Sequence, residues 1–595
     1  MQYPKLKELE TSRQMVDAFR GYNHNLRISD GEFFDMRNMT SDYYPILSPR
    51  VKRGVYATPA APAGMIAKDA LCYVDGSNFV INGYPVDMGL STQEEDCPKR
   101  LVSMGAYVII LPDKKYINTA DITDFGNIEA EFITHSNVSF TLCRLDGSEY
   151  ITEYKQPDEP SEPANMALWI DTSTTPNSLK QWSDTSGMWV TIATTYIKIA
   201  STGIGAAFDK YDGVQISGLE GTLNDADTGE EFSSSDLAAL NGSAIVWDRG
   251  DDFIVVLGML DDTKTISNEV TVSRKMPNMD FVVESENRLW GCRYGVATNG
   301  EVVNEIYASK LGDFKNWNCY MSLSTDSYTA SVGTDGQFTG AITLPGYVLF
   351  FKENCIHKVY GNYPANFQIQ TTVCRGVQKG CERSLAIVNE VIYYKARHAI
   401  CSYDGSLPTE ISHALGDERY QNAVAGAHGN KYYISMQDMT GKYHLFVYDT
   451  AKGMWHKEDN LQADCFCSCR EEMYCIDHNT KKIITMLGSG SKDAGKVEWM
   501  VQTGAIGTDM PDMKYVSRLV IRMSMAIGTQ VRFFAKYDSM GSWEHLCSIT
   551  GTNLRSFSVP VRPRRCDHLR LLIEGEGEAR IYSITKTIEQ GSDIS

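Results

Sequence analysis

Short apolar runs, each closed by Gly, Asn or Asp, alternate along most of the chain, and stretches with a 3.6-residue period are rare. In one unit the run Leu71-Cys72-Tyr73-Val74 leads through Asp75-Gly76 to Phe79-Val80-Ile81 and the turn Asn82-Gly83. Units of the same form occupy residues 100–117, 287–309, 346–361, 390–405, 431–455 and 473–486. Each predicts a buried strand, a tight turn and a second strand ending in an aromatic or turn residue. The 32 tyrosines and many Val and Ile residues suit strands. In the central part the units recur roughly every 35 to 50 residues, the period of a β-propeller blade whose apolar inner strands stack face to face. The pattern predicts an all-β chain with a propeller of six or seven blades. The clearest helical period lies near Leu6 to Phe19, and Asp236 to Leu240 suggests a single turn.

The blade pattern breaks between Asn127 and Asp262, where charge breaks as well. This stretch holds 23 Asp and Glu against 6 Lys and Arg, a net of −17 out of −19 for the whole chain. Such a discontinuity marks a separate unit with its own surface. Glu153 to Pro163 reads as a linker. Hairpins are expected from Leu168-Trp169-Ile170 through Trp189-Val190 and Tyr196 to Ile199, and from Gly213 to Ile216 through Phe253 to Val256. One or two small β domains are thus inserted in a propeller loop, where insertions cost little. The pattern changes again after Gly488-Ser489-Gly490-Ser491, and the strands that follow predict a jelly-roll-like β-sandwich. The expected order is an N-terminal arm (1–60), first blades (61–126), the acidic insert (127–262), the remaining blades (263–490) and the C-terminal sandwich (491–595).

At 595 residues the chain exceeds what one core sustains. No apolar run reaches membrane-spanning length, and the polar start Met1-Gln2-Tyr3-Pro4-Lys5 lacks the apolar core of a secretory signal. Synthesis in a cytoplasm and reduced thiols are therefore expected for the 15 cysteines. The densest group is Cys465-Phe466-Cys467-Ser468-Cys469. On a strand C-x-C-x-C points every sulfur to one face, unlike the C-x₂₋₄-C knuckles of zinc sites, so no metal is expected. No cofactor is expected either.

Propellers host glycosidases, so catalytic motifs bear on the reading. Ser183 to Trp189 approaches a sialidase-type repeat with its acid one place out, and does not recur. Glu301, Glu305, Glu353 and Glu390 lie near strand ends and read as solvated rim carboxylates. There is no G-x-x-x-x-G-K-[ST], G-x-S-x-G or H-E-x-x-H. Arg249-Gly250-Asp251 reads as an ordinary hairpin turn. No catalytic residue is assigned.

Two clusters remain as assembly-interface candidates. The arm is dense in aromatics with little strand pattern, among them Phe19, Tyr22, Phe33, Tyr43 and Tyr44, which pack either on their own propeller or on a neighbouring subunit. Arg562, Arg564, Arg565 and Arg570 form the one basic cluster, with Arg564 and Arg565 at its centre, suited to bidentate pairing with carboxylates.

Four stretches resemble the β-propeller virion proteins of tailed bacteriophages, of the tail nozzle, tail hub and packaged-DNA-stabilisation type. They are the arm from Phe19-Arg20-Gly21-Tyr22-Asn23 through Ile28-Ser29-Asp30-Gly31 to Tyr43-Tyr44-Pro45-Ile46-Leu47-Ser48-Pro49-Arg50, Asn287 to Trp317, Leu349 to Asn354, and Pro563 to Arg570 with Ile581-Tyr582-Ser583-Ile584. The resemblance covers most of the chain outside the insert. It implies a homo-oligomeric ring in the neck or tail of a virion, contacts with portal, adaptor, fibre or spike proteins, passage of duplex DNA without tight binding, no membrane insertion and no catalysis. The alternative is a carbohydrate-binding or carbohydrate-cleaving tail-tip protein using the insert; Trp169, Trp182 and Trp189 on one face would favour it.

Overall fold

The computed structural model describes residues 10–92, 99–297, 300–492, 495–551 and 553–591. Among them the fold is all-β, and the only helical segments are 3-10 turns of three or four residues. The Ala238–Leu240 turn is one of these. The helical period near Leu6 to Phe19 is not realised in its described part. Thr11–Val16 is a strand with alternating burial, hydrogen-bonded antiparallel to Ala579–Gln590. Its partner strand, far away in sequence, overrides the local period.

Each of the seven sequence units falls in its own run of neighbouring strands. Six runs contain four successive strands: residues 62–87, 100–127, 281–331, 338–373, 386–410 and 420–457. The seventh, residues 463–485, supplies three strands and takes its fourth from Gly54–Ala57 near the other end of the chain. Gly54 permits that closure, because a Cβ there would lie 2.2 Å from the Ser489 carbonyl oxygen.

The chain divides into two compact units, the first made of residues 1–101, 350–357 and 371–595, the second of residues 102–349 and 358–370. In the first, the meander 463–485 buries Met473 and Cys475 against Tyr433, Leu445 and Val447. It also buries Cys469, Ile476 and Ile483 against Met65 and Leu71. The meander 420–457 does not end at its fourth strand. Its sheet continues through Gly21–Tyr22 and Glu32–Arg37 to Glu498–Thr503, Leu569–Glu576, Gln530–Tyr537 and Glu544–Thr550, ten strands in all. The arm thus splices a meander to the C-terminal strands. A separate sheet orders Thr11–Val16, Ala579–Gln590, Lys514–Met525 and Arg555–Val559.

In the second unit Val102, Ile109, Leu289, Phe314 and Trp317 share a core between two meanders. The interruption builds its own sheets, two of which meet in a core that includes Phe140, Ile199, Phe208, Ile216, Leu237, Ile254 and Val272. Three expectations are corrected here. Lys264–Ile266 and Thr271–Arg274 pair into these sheets, so the segment runs to residue 274, beyond the charge boundary at 262. Within the expected linker, Tyr154–Gln156 is a strand parallel to Leu168–Asp171. Gly213–Ser217 pairs with Gly242–Ile245 and Thr271–Arg274, while Phe253–Leu257 pairs with Tyr196–Ala200. The segment is also docked on its own unit. Asp212, 3% exposed, accepts from Asn316 Nδ2 at 2.9 Å and pairs with Arg274.

Candidate functional site

The arm is built into the first unit by three devices. The first is aromatic burial: Phe19, Tyr22 and Phe33 are 3%, 3% and 1% exposed. Phe19 stacks on Phe33 at 5.8 Å, and Tyr22 meets Phe446 at 5.6 Å. Burial of side chains this size contributes about 1.5–3 kcal/mol each. Gly21 makes the approach possible, with φ of 84° and a Cβ position only 2.3 Å from the Trp455 carbonyl oxygen. Burial, aided by Asp35 and Glu418, pushes the Tyr22 phenol well above its usual range.

The second device is a largely covered ion network around buried Glu458. Arg53 reaches Glu458 at 2.6 Å and Asp459 at 2.7 Å, and Arg50 reaches Asp459 at 3.2 Å. Burial alone would raise the Asp459 carboxyl, but Arg53 and Arg50 outweigh it and hold it below the usual range. The third is polar: Ser41 donates to Asp449 at 2.6 Å and Lys452 donates to the Ser41 carbonyl at 2.8 Å.

Phe19, Tyr22 and Phe33 therefore cannot serve as interface anchors as placed. Strands distant in sequence cover them, a pairing that leaves no periodic signal. Tyr43 and Tyr44 are each 43% exposed. Arg580 lies 4.0 Å from the Tyr43 ring centroid and Lys452 6.0 Å from that of Tyr44. The members of the basic cluster differ in exposure and surroundings. Arg564 is exposed, pairs with Glu544 at 3.1 Å and sits over Tyr537. Arg565 is exposed, whereas half-buried Arg570 lies over Phe34.

The Cys465-x-Cys467-x-Cys469 strand runs antiparallel to Glu472–Asp477. All three cysteines pack in the apolar core with Met65 and Leu71. The fourteen described cysteines are free thiols, and burial pushes Cys72 up to about 11. Cys97 lies outside the described residues. Among the described residues no group of three or more His, Cys, Asp or Glu is placed to hold a metal ion. Of the weighed carboxylates, Glu305 accepts the Tyr307 hydroxyl at 2.6 Å and Glu353 accepts the Lys379 amide at 3.2 Å. No described helix is long and apolar enough to cross a membrane.

The acidic segment carries an aromatic site that sequence reasoning named only as a condition. Its four-stranded sheet orders Tyr154–Gln156, Leu168–Asp171, Ser178–Ser183 and Met188–Thr191. Tyr154 pairs with Trp169, Trp169 with Lys180, and Trp182 with Trp189. Because paired and alternate positions share a face, Tyr154, Trp169, Lys180, Trp182 and Trp189 all lie on one side. Leu168, Ile170 and Leu179 lie on the other, in a core with Leu142. Trp189 is the centre, 5.3 Å from Trp169, 5.5 Å from Trp182 and 6.1 Å from Tyr154, edge-to-face with each. Lys180 spans Trp169 at 4.7 Å and pairs with Asp171 at 2.8 Å. Hydrogen bonds from Lys180 and Ser173 hold the Asp171 carboxyl down to about 2. Trp182 Nε1 donates to exposed Asp184 at 2.7 Å. Trp169 is buried; Trp182 and Trp189 are half-buried.

No family model matches the chain, and no curated relative matches it. Solved structures match at low similarity. Apo AztD from Citrobacter koseri is 10% identical over 71% of this chain and 93% of its own, with a TM-score of 0.25. PorZ of the type-IX secretion system of Porphyromonas gingivalis is 10% identical over 89% and 82%, with a TM-score of 0.25. The exo-β-1,3-galactanase from Phanerochaete chrysosporium is 8% identical over 51% and 94%, with a TM-score of 0.22. Likeness this weak assigns neither a family nor an activity.

Proposed function

We propose that the chain is a non-enzymatic structural subunit of a tailed-bacteriophage particle, one copy of a homo-oligomeric ring in the neck or tail through which the genome passes. The seven strand runs are read as blades of a propeller, with the C-terminal strands as a jelly-roll-like sandwich. The reading starts from the four resembling stretches. The observation that carries it furthest is the splice, in which the arm, the stretch richest in that resemblance, joins a meander to the C-terminal strands in one sheet. A part that withstands DNA ejection needs such a continuous rigid body. Made in the host cytoplasm, it would meet portal or adaptor on one side and fibre or spike proteins on the other. Exposed Tyr43, Tyr44, Arg564 and Arg565 remain as contact candidates. DNA should slide without being held, because outside residues 127–262 the chain is nearly neutral and offers little counterion release.

Electron cryomicroscopy of a particle carrying this chain tests the reading. Several copies arranged around the tail axis are expected, and a single off-axis copy would sink it. A filter-binding assay with duplex DNA should show weak binding at physiological salt. The alternative, a carbohydrate-binding or carbohydrate-cleaving tail-tip protein, has one observation in its favour: the tryptophans of the insert share a face.

A further inference from the structure

The aromatic side of the 154–191 sheet gathers tryptophans more densely than any other part of the chain. Three of nine tryptophans fall within 21 residues on three short strands. Trp290, Trp317, Trp455 and Trp499 are 4% exposed or less, whereas Trp182 and Trp189, like Trp247 and Trp543, are half-buried. The apolar core of this sheet is served by its opposite side. The tryptophan side is also undersatisfied. Trp189 Nε1 is buried with no hydrogen-bond partner. Half-exposed indoles held rigid by edge-to-face neighbours form a preorganised surface at little further entropic cost.

We infer that this face binds an uncharged glycan, with Trp182 and Trp189 stacking on pyranose rings and Asp184 accepting sugar hydroxyls. A pyranose presents a face of C–H groups with slight positive charge, which meets the negative face of an indole. Charge selects among saccharides. The net of −17 over residues 127–262 repels uronic, sialic and phosphorylated glycans, and Lys180, which lies over the Trp169 ring, is already paired with Asp171. Thr191, exposed on the same side, adds a hydroxyl at the rim. This inference rests on the carbohydrate reading of the insert and is independent of the ring.

The test is an array of neutral and anionic oligosaccharides probed with the full-length chain, followed by calorimetric titration of each hit. At least one neutral oligosaccharide should bind with Kd below about 1 mM and be insensitive to added salt. Trp182→Ala should weaken it at least about tenfold. That ring is half-exposed, so the sheet should survive, as near-ultraviolet circular dichroism would record. Trp182→Phe should recover part of the affinity, which a purely structural role would not require. Buried Trp499→Phe, in the other unit, should leave affinity unchanged. No neutral hit, salt-sensitive binding of anionic glycans alone, or full affinity in a folded Trp182→Ala protein would each overturn the inference. None of those outcomes bears on copy number around a tail axis, so the ring stands or falls separately. Reducing sugar released from a bound glycan would refute the non-enzymatic reading instead.

Discussion

The arm and the acidic segment use the same residue types to opposite ends. In the arm, Phe19, Tyr22 and Phe33 vanish beneath strands hundreds of residues away, and two largely covered arginines pair with buried Glu458 and half-buried Asp459. In the acidic segment, Trp182 and Trp189 stay half-exposed on strands only a turn apart. An aromatic residue acts as core or as surface according to what covers it, and the covering element need not be near in sequence. The arm's stability therefore depends on long-range partners, while the segment's aromatic face is assembled locally.

The sharpest break in this contrast is Glu458→Ala. It leaves largely covered Arg53 with Asp459 as its one acidic partner; losing one member of a buried pair costs about 3–5 kcal/mol, and the low end is expected here. A lower midpoint in denaturant-induced unfolding should report it. An unchanged midpoint would mean the network contributes little to holding the arm.

Acid should separate the regions next. Burial, with a contribution from Lys431, holds His456 beside the arm down to about 3. The native state keeps it neutral while the unfolded chain protonates it below about 6.5. Its stabilising contribution is full above pH 6.5 and falls as pH drops from there toward 3. Between pH 6.5 and 5 the loss is about 2 kcal/mol. His456→Gln should flatten that slope. Asp171 responds at lower pH: its carboxyl, held near 2, stabilises fully above about 4, and the contribution is lost as pH falls through 2. Tryptophan fluorescence from the acidic segment should change in that lower window, and Asp171→Asn should abolish the change.

Excising residues 130–274 with a short linker should leave a folded remainder, because the segment owns its core. The remainder should lose about 1–3 kcal/mol, since Asn316 then loses Asp212. Insoluble product, or loss of the main transition, would show the segment is integral. The smallest effect is expected from Arg564→Ala, an exposed pair with Glu544, at about 0–1 kcal/mol in the isolated chain.

Much of this was legible from sequence because it is local. Asp75-Gly76 between Val74 and Phe79 specifies a hairpin whatever surrounds it, and the seven units surfaced as separate strand runs. The tryptophan face was named from the sequence only as a condition, because whether Trp169, Trp182 and Trp189 share a side depends on the pairing registers. The limits of the segment were read less well, since charge fell off at Asp262 but the pairing of Thr271–Arg274 did not. The arm misled most. Its dense aromatics signalled packing, yet nothing in its pattern named the packing partner.

The sequence by itself thus determined the all-β class, the seven strand units and the acidic interruption. Each follows from turn chemistry, side-chain alternation or charge within a few dozen residues. Only the tertiary structure decided that Gly54–Ala57 completes the sheet of residues 463–485, that the arm joins a meander to the C-terminal strands, and that Phe19, Tyr22 and Phe33 are core. Those pairings close loops of hundreds of residues. Their loop-closure cost rises only logarithmically with length, so many distant partners are similarly affordable. Choice among them falls to shape and burial in the assembled core, which no periodic signal along the chain records.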